Sequence, residues 1–406
     1  MNLKEKFDLP VTFWIVALIA FINSVGFTIV IPTLYPYAKE FGLSDFQASL
    51  LTTSYAISQF IGTPILGKLS DRLGRKPLLI ISLLGTVAAN LVASWTPVAW
   101  LLFAARVVDG LTGGNTSIAK AVISDTTHPQ RRSKAFGVFS ATFRLGFVAG
   151  PALSYFAQQL PTFPGVSSLG MSFFAASVIA AIAMLLTLFL LPETLKQEEE
   201  FQLSWRDFGF GKIAKSATRP KIGRIFVLTF FSGFTFTLFT FAFQPFFLNV
   251  LNQDAQTLAV IFAMIGIIGF VTQVFAMDPL TERFNVVNIL STALLGRGIL
   301  FLLIPAFPNP TAFFIILAVF GVVNSYPLPL TNSILSLSSS EREQGEVLGI
   351  NTSYLSISNA IGPATSGLLV TIGYGIPFWV AGGLTILIAW FALSLKSRLD
   401  LEEEQA

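Results

Sequence analysis

Several charged residues lie inside long apolar segments of this sequence, where a charge is costly, and Arg106, Asp109 and Arg144 are the three on adjacent segments. Arg106 and Asp109 are three positions apart, so they share one face of a helix. Asp109 lies about 16 Å from the predicted start of its segment, and Arg144 lies about 15 Å from the predicted start of the next segment. Both residues are therefore near the midplane of a bilayer. A charge at that depth costs at least roughly 2.5 kcal/mol by insertion scales, so such residues are generally paired and functional.

Asp109 is the acidic residue that the predicted spans place deepest in the membrane. The pKa of a buried carboxylate depends on nearby cations and on desolvation, so such a group can take up a proton on one side and release it on the other. We therefore expect Asp109 to carry a coupled proton, held by Arg106, Arg144 or both. A static ion pair that neutralises itself is the alternative.

The composition places these charges in a membrane protein. The chain has 406 residues, of which 53% are hydrophobic and 12% charged, and its mean hydropathy is +0.72. These values exclude a soluble domain of this size. The absence of cysteine excludes disulfides and thiol chemistry. The net charge is +3, and most of the cations lie in segments on one side of the predicted spans, which accounts for the excess of positive charge. We therefore expect no nucleic-acid partner.

The hydropathy pattern predicts an all-α polytopic membrane protein with 12 transmembrane helices in two pseudo-symmetric six-helix bundles. Most of the 25 lysines and arginines fall in segments on one side, which puts both termini in the cytoplasm. We expect the plasma (inner) membrane as the location. The predicted spans are 11–35, 46–66, 77–96, 98–124, 134–157, 171–192, 224–250, 255–277, 286–307, 311–335, 345–372 and 376–395.

The two halves of the chain resemble each other. The segment 69–74 aligns with 280–285, and Gly150-Pro151 aligns with Gly362-Pro363 at nearly the same offset. A duplicated six-helix unit is typical of alternating-access transporters. We predict an N-terminal bundle at 1–192, a cytoplasmic central loop at 193–223, and a C-terminal bundle with a short acidic tail at 224–406.

A short charged stretch, 67–77, is predicted to turn between spans 2 and 3. It matches the signature loop of the major facilitator superfamily, with the typed positions Gly67, Asp71, Arg72, Gly74, Arg75 and Lys76. Span 4 carries Arg106 to Gly110, which resembles the span-4 arginine motif of that superfamily. Span 5 carries Gly146, Gly150 and Pro151, which resemble the antiporter motif of exporters. The chain is therefore most similar to the twelve-helix drug:proton antiporter family, whose members include tetracycline-efflux proteins.

The resemblance implies a conformational latch on the cytoplasmic side. Asp71 would face the N-terminus of span 11 near Gly345, where exposed N–H groups favour an anion. Arg72 or Arg75 would pair with Asp125 at the end of span 4. We expect this latch to lock an outward-facing state.

The span-5 motif implies a closely packed hinge across the two halves. Gly146 and Gly150 are four residues apart, which lets a neighbouring helix approach closely, and Pro151 bends the span. Ordinary helix packing is the alternative for each glycine.

Spans 1, 4, 7 and 10 line the cavity in this family, and polar residues near them could orient a substrate. A cavity with few charges suits a neutral or amphipathic compound. Each of these side chains could equally be a polar contact between helices. The polar candidates are Asn23, Tyr55, Gln59, Asn115, Gln244, Asn324, Asn351 and Tyr354, and Phe239 is a candidate for the aromatic lining of the cavity. Arg297, in the middle of span 9, has no assigned role.

These observations favour proton-driven export of a small hydrophobic or amphipathic compound, such as a drug or an endogenous metabolite. A symporter or facilitator that imports a sugar or organic solute is the alternative, and Gly150-Pro151 argues against it. A membrane enzyme or a receptor-like binder is disfavoured, because the spans contain no clustered metal ligands and no nucleophile–base pair. We expect no cofactor and no metal. The expected partners are the substrate, protons and the lipid bilayer, and the expected state is a monomer.

Overall fold

The structure is a computed structural model, which describes residues 9–128, 131–195, 210–219, 222–339 and 343–403. Within these ranges the regular structure is helical, as predicted. Ten of the described helices are long and apolar enough to cross a membrane. They are Val11–Glu40, Arg75–Trp95, Lys134–Ala157, Gly170–Leu190, Ile222–Val250, Ala255–Phe275, Val286–Ala306, Pro310–Leu337, Gln344–Ile372 and Ile376–Leu395.

Two more helical segments complete the twelve spans in chain order. Span 2 is the helix Asp45–Leu73, and span 4 consists of the helices Ala99–Thr112 and Asn115–Thr126. Both are less apolar than the other ten because they carry the polar and charged candidates, including Tyr55 and Asp109. The remaining spans take the numbers 1, 3 and 5 to 12 in the order given above. Two short helices, Phe210–Ser216 and Met277–Arg283, lie between spans.

Many apolar side chains on the spans point outward. Phe189, Phe275 and Trp390 are each more than 70% exposed. Such a surface would be costly in water and is what contact with lipid requires. The protein is therefore an integral membrane protein.

The stretch 67–77 is mostly helix, so the prediction of a turn over its whole length was wrong. Span 2 continues through Gly67 to Leu73, and span 3 begins at Arg75. The whole turn is Gly74, whose φ of +103° lies in the region that favours glycine. No residue between Gly67 and Leu73 breaks a helix, and charged side chains are stable at a helix end that leaves the apolar region.

Spans 1, 4, 7 and 10 are each interrupted along their length. In the described residues, the other spans are continuous helices. Span 1 breaks after Thr28 and span 4 at Gly113-Gly114. Span 7 passes into a π-helix, Phe246–Val250, and span 10 breaks at Asn324. An interruption frees backbone groups, which membrane proteins tolerate where the backbone is buried in protein or lines a cavity.

The chain divides into two compact units. Unit 1 consists of residues 1–42 and 54–208, and unit 2 consists of residues 43–53 and 209–406. The core of unit 1 includes the fully buried side chains of Phe13, Leu83 and Ile118. The core of unit 2 is a cluster of aromatic rings in stacked, tilted and edge-to-face contact. It includes Phe239, Phe243, Phe301, Phe313, Phe320 and Phe378.

Candidate functional site

The centre of unit 1 is a buried ion pair on one face of span 4. Nη1 of Arg106 lies 2.8 Å from Oδ2 of Asp109, and the two residues are 6% and 7% exposed. The pair forms because a spacing of three places both side chains on the same side of one helical turn. The guanidinium carbon of Arg106 also lies 4.3 Å from the ring centroid of Tyr55 on span 2. The cation is thus held by a carboxylate and by an aromatic ring.

Polar side chains from neighbouring spans surround this ion pair. Nε2 of Gln59 donates to the Tyr55 hydroxyl at 3.0 Å and to the Gly113 carbonyl at 3.3 Å, where span 4 is interrupted. Thr86 and Asn90 of span 3 direct their side chains at the Asp109 carboxylate. The site therefore joins spans 2, 3 and 4.

The glycines of span 4 let the backbones approach at this point. A Cβ atom at Gly110 would overlap the Tyr55 carbonyl and lie 2.7 Å from Cβ of Ser58. Gly110 is therefore required for span 2 to pack this closely beside the ion pair. On the next turn, Nδ2 of Asn115 donates to Oδ1 of Asn23 at 3.1 Å, which links spans 4 and 1.

Arg144, the second cation proposed for Asp109, belongs to the span-5 helix Arg132–Ala157. Its side chain lies outside the described residues, so its pairing with Asp109 stays a prediction. In the described part of the structure, Arg106 is the cation on Asp109.

Arg75 is the centre of a second charged cluster in unit 1. Its Nε lies 2.9 Å from Oδ2 of Asp125, its Nη1 donates to Ser70 at 2.7 Å, and it forms an ion pair with Asp71. Arg72, the other candidate partner of Asp125, is exposed. The predicted contact between Asp71 and Gly345 would join unit 1 to unit 2 and stays a prediction.

Glu193 belongs to this cluster, although the sequence motifs gave it no role. Its carboxylate accepts hydrogen bonds from the backbone N–H groups of Arg75 at 3.0 Å and Lys76 at 3.1 Å, at the N-terminus of span 3. It also accepts from Thr194 and Leu195. Burial acts to raise the pKa of Glu193, but these backbone donors outweigh it and hold the pKa below the ordinary value. The sequence feature that could have indicated this role is Pro192-Glu193-Thr194, which places an acidic residue directly after an apolar span.

The span-5 glycines pack against span 1 of the same unit, and the hinge across the two halves that was predicted for them stays a prediction. A Cβ at Gly146 would overlap Ser24, and one at Gly150 would overlap the Thr28 hydroxyl. Thr28 donates to the Gly146 carbonyl at 2.9 Å. Small residues at this spacing bring two helices together wherever they meet, so the spacing alone did not identify the partner helix.

Unit 2 repeats this contact. A Cβ at Gly362 on span 11 would overlap the Thr237 hydroxyl on span 7, and Thr237 donates to the Ser358 carbonyl at 3.1 Å. The duplication inferred from sequence thus extends to a specific threonine–glycine contact in each unit.

The candidate substrate residues of unit 2 lie in different environments. Asn351 is 1% exposed and donates to Asn332 at 2.9 Å, which links spans 11 and 10. The Tyr354 hydroxyl donates to the carbonyl of Ile213 at 2.8 Å and so holds the short helix Phe210–Ser216 against span 11. Phe239 is buried in the aromatic cluster, and Gln244 is buried with its Oε1 lacking a partner among the described residues.

Comparison with protein families identifies the chain. The family model of the Major Facilitator Superfamily matches residues 16–276 and, in a second overlapping match, residues 225–405. The chain belongs to the major facilitator superfamily.

Relatives within the superfamily cover almost the whole chain. The tetracycline resistance protein, class C, of Escherichia coli is 29% identical in a match that covers 92% of this chain and 93% of that protein. Multidrug resistance protein 2 of Bacillus subtilis (strain 168) is 27% identical over 378 residues, which cover 91% of this chain and 92% of that protein.

The fold also matches solved superfamily structures. The crystal structure of a D-xylose-proton symporter superposes with a TM-score of 0.75 and covers 94% of this chain and 96% of that chain. The two sequences are 16% identical, so this similarity shows the fold alone. The prediction of a twelve-helix fold of this superfamily is confirmed.

Proposed function

We propose that this protein is a proton-coupled exporter of small hydrophobic or amphipathic compounds, and that Asp109 carries the proton. The observation that carries the proposal is the buried Arg106–Asp109 pair beneath Tyr55. The relatives that cover more than nine-tenths of the chain are named for resistance to tetracycline and to multiple drugs, which supports export.

The geometry gives Asp109 two distinct states. When ionised, it neutralises Arg106 and faces the polar side chains of Thr86 and Asn90 on span 3. When protonated, it no longer forms an ion pair with Arg106, and the Tyr55 ring then remains as a cation–π partner of that guanidinium. Because Tyr55, Arg106 and Asn90 lie on three different spans, the change in charge alters the contacts among spans 2, 3 and 4. Proton uptake can thereby shift the balance between conformations.

The Arg75 cluster would serve as the cytoplasmic latch of this cycle. Arg75 and Asp125 join the start of span 3 to the end of span 4, and Glu193 joins the start of span 3 to the end of span 6. In the proposed cycle Asp71 contacts the N-terminus of span 11 in one conformation only. Both termini lie in the cytoplasm and the transporter acts as a monomer in the inner membrane.

Growth of an efflux-deficient bacterial host tests the direction of transport. The minimum inhibitory concentrations of tetracycline, a fluoroquinolone and ethidium would be measured with wild type, with Asp109→Asn and with Asp278→Asn, which alters an exposed carboxylate. We expect wild type and Asp278→Asn to raise at least one of these concentrations and Asp109→Asn to match the empty vector. Greater sensitivity of cells that carry wild type would indicate import and contradict the proposal.

A further inference from the structure

Arg297 is a buried cation whose described contacts are all uncharged. The residue lies in the middle of span 9 and is 2% exposed. Its Nη2 donates to the carbonyl and the hydroxyl of Ser232, each at 3.0 Å, and to the Thr235 hydroxyl at 3.3 Å. The charge is thus held against span 7 by dipoles, and no described residue supplies a counter-ion.

Part of the guanidinium remains without an acceptor. Nη1 makes one long contact, 3.4 Å from Oδ1 of Asn324, and Nε has no hydrogen-bond partner among the described residues. Arg106, the comparable buried arginine of unit 1, has Asp109 as its counter-ion. The acidic residues of unit 2 whose side chains the structure describes lie at helix ends or in connections, far along the chain from the middle of span 9. They are Asp45, Asp254, Asp278, Glu282, Glu343 and Glu346.

The surroundings of Arg297 combine polar and aromatic groups with partial exposure. Asn324 is half-buried and lies at the interruption of span 10. One turn earlier on that span, Phe320 stacks with the half-buried ring of Phe236, with ring centroids 6.5 Å apart. The amide that contacts the buried cation is therefore partly accessible, and so is the Phe236 ring, which stacks on Phe320 one turn away from that amide.

The geometry points to Arg297 and Asn324 as the binding point for the carboxylate of an apolar, preferentially aromatic, organic acid. A cation inside a membrane protein requires an anion or a use, and a guanidinium binds a carboxylate through charge-assisted hydrogen bonds. This inference rests on the proposed function and deepens it, because it names organic acids as a substrate class of the exporter. The competing explanation is that Arg297 only ties spans 7, 9 and 10 together.

Selective stabilisation by a carboxylate separates the two explanations. Purified full-length protein in detergent would be heated with 2-naphthoate or with 2-naphthamide, which has the same ring and no charge. The fraction that remains folded would be measured by size-exclusion chromatography. The variants are Arg297→Gln, Arg297→Lys, Asn324→Ala and the control Arg283→Gln, which alters an exposed arginine.

We expect naphthoate, and not naphthamide, to raise the unfolding temperature of wild type and of Arg283→Gln. Loss of a hydrogen-bonded charge weakens apparent affinity by about tenfold or more, so Arg297→Gln should lose the difference between the two compounds and Arg297→Lys should keep part of it. If Arg297→Gln does not fold, Asn324→Ala should show a several-fold weaker response to naphthoate.

Two results would overturn the inference. One is equal stabilisation of wild type by the acid and the amide. The other is an undiminished preference for the acid in Arg297→Gln, or in Asn324→Ala where that variant carries the test. The assay measures binding and does not require proton coupling, so its failure is distinguishable from failure of the proposed export.

Discussion

At the scale of single residues, Asp109 is distinguished by its partners. It is buried, paired with Arg106, and approached by two side chains of span 3. A structural ion pair and a proton carrier share this geometry but respond differently when the charge is removed and the shape is kept.

Asp109→Asn should abolish proton-coupled transport while leaving the amount of folded protein in the membrane unchanged. Asparagine can hydrogen-bond but cannot release a proton. Uptake of substrate by everted vesicles, with and without a pH gradient, measures the effect, and Asp278→Asn is the control. Retention of gradient-dependent uptake in Asp109→Asn would show that the ion pair is static.

Tyr55 should act through its ring more than through its hydroxyl. Tyr55→Leu removes the cation–π contact with Arg106, worth about 0.5 to 2 kcal/mol, whereas Tyr55→Phe keeps it and loses the hydrogen bond with Gln59. We expect Tyr55→Leu to lower the unfolding temperature more than Tyr55→Phe does. The reverse order would mean that the hydroxyl network dominates.

Glu193 gives stability a dependence on pH. Its folded pKa lies below the ordinary value of 4.5, so its contribution is complete above that pH and is lost as the pH falls through the lowered folded value. Wild type should therefore be more stable than Glu193→Gln near neutral pH, and the difference should shrink below about pH 4.5. Unfolding temperatures between neutral and acidic pH measure this. Glu282→Gln, which alters an exposed carboxylate, is the matched control.

Residue-level prediction from sequence succeeded where partners are close along the chain. The pairing of Arg106 with Asp109 follows from a spacing of three. The cap formed by Glu193 on Arg75 joins residues 118 positions apart, and the contact of Tyr354 with Ile213 joins residues 141 apart. Hydropathy and spacing carry no information on such distant pairs.

At the scale of helices, the spans were predictable because the bilayer fixes the length of an apolar segment. The interruptions of spans 1, 4, 7 and 10 were not predicted, because they do not change mean hydropathy. The extension of span 2 to Leu73 was missed because charged residues were taken to end the helix.

Glycine-to-alanine substitutions test the close packing of paired helices most directly. Gly150→Ala places a methyl group against Thr28 and should cost about 1 to 3 kcal/mol of folding stability. Gly137→Ala on the same helix meets no atom within 4 Å and should stabilise the helix by roughly 0.5 to 1 kcal/mol.

The same pair of substitutions is available in unit 2. Gly362→Ala should destabilise through Thr237, and Gly349→Ala on the same span, with no atom within 4 Å, should not. Unfolding temperatures of the four variants provide the measurement. Equal effects of Gly150→Ala and Gly137→Ala on the unfolding temperature would show that the threonine–glycine contact accommodates the added methyl group without loss of folding stability.

At the scale of the whole molecule, the two units carry their buried charges differently. Unit 1 has a neutral pair of opposite charges on span 4, and unit 2 has Arg297 on span 9 with uncharged acceptors. The internal duplication therefore preserves the packing of helices but not the placement of charge. We propose that unit 1 handles the proton and unit 2 handles the acidic group of the substrate.

The most direct test of proton-coupled export uses everted membrane vesicles energised by respiration. A fluorescent dye would monitor the pH gradient while tetracycline, ethidium or 2-naphthoate is added to vesicles with wild type or Asp109→Asn. We expect at least one compound to collapse the gradient partly in wild-type vesicles and to have no effect in the Asp109→Asn vesicles. Accumulation of a compound with an unchanged gradient, or an equal collapse in both sets of vesicles, would contradict proton-coupled export through Asp109.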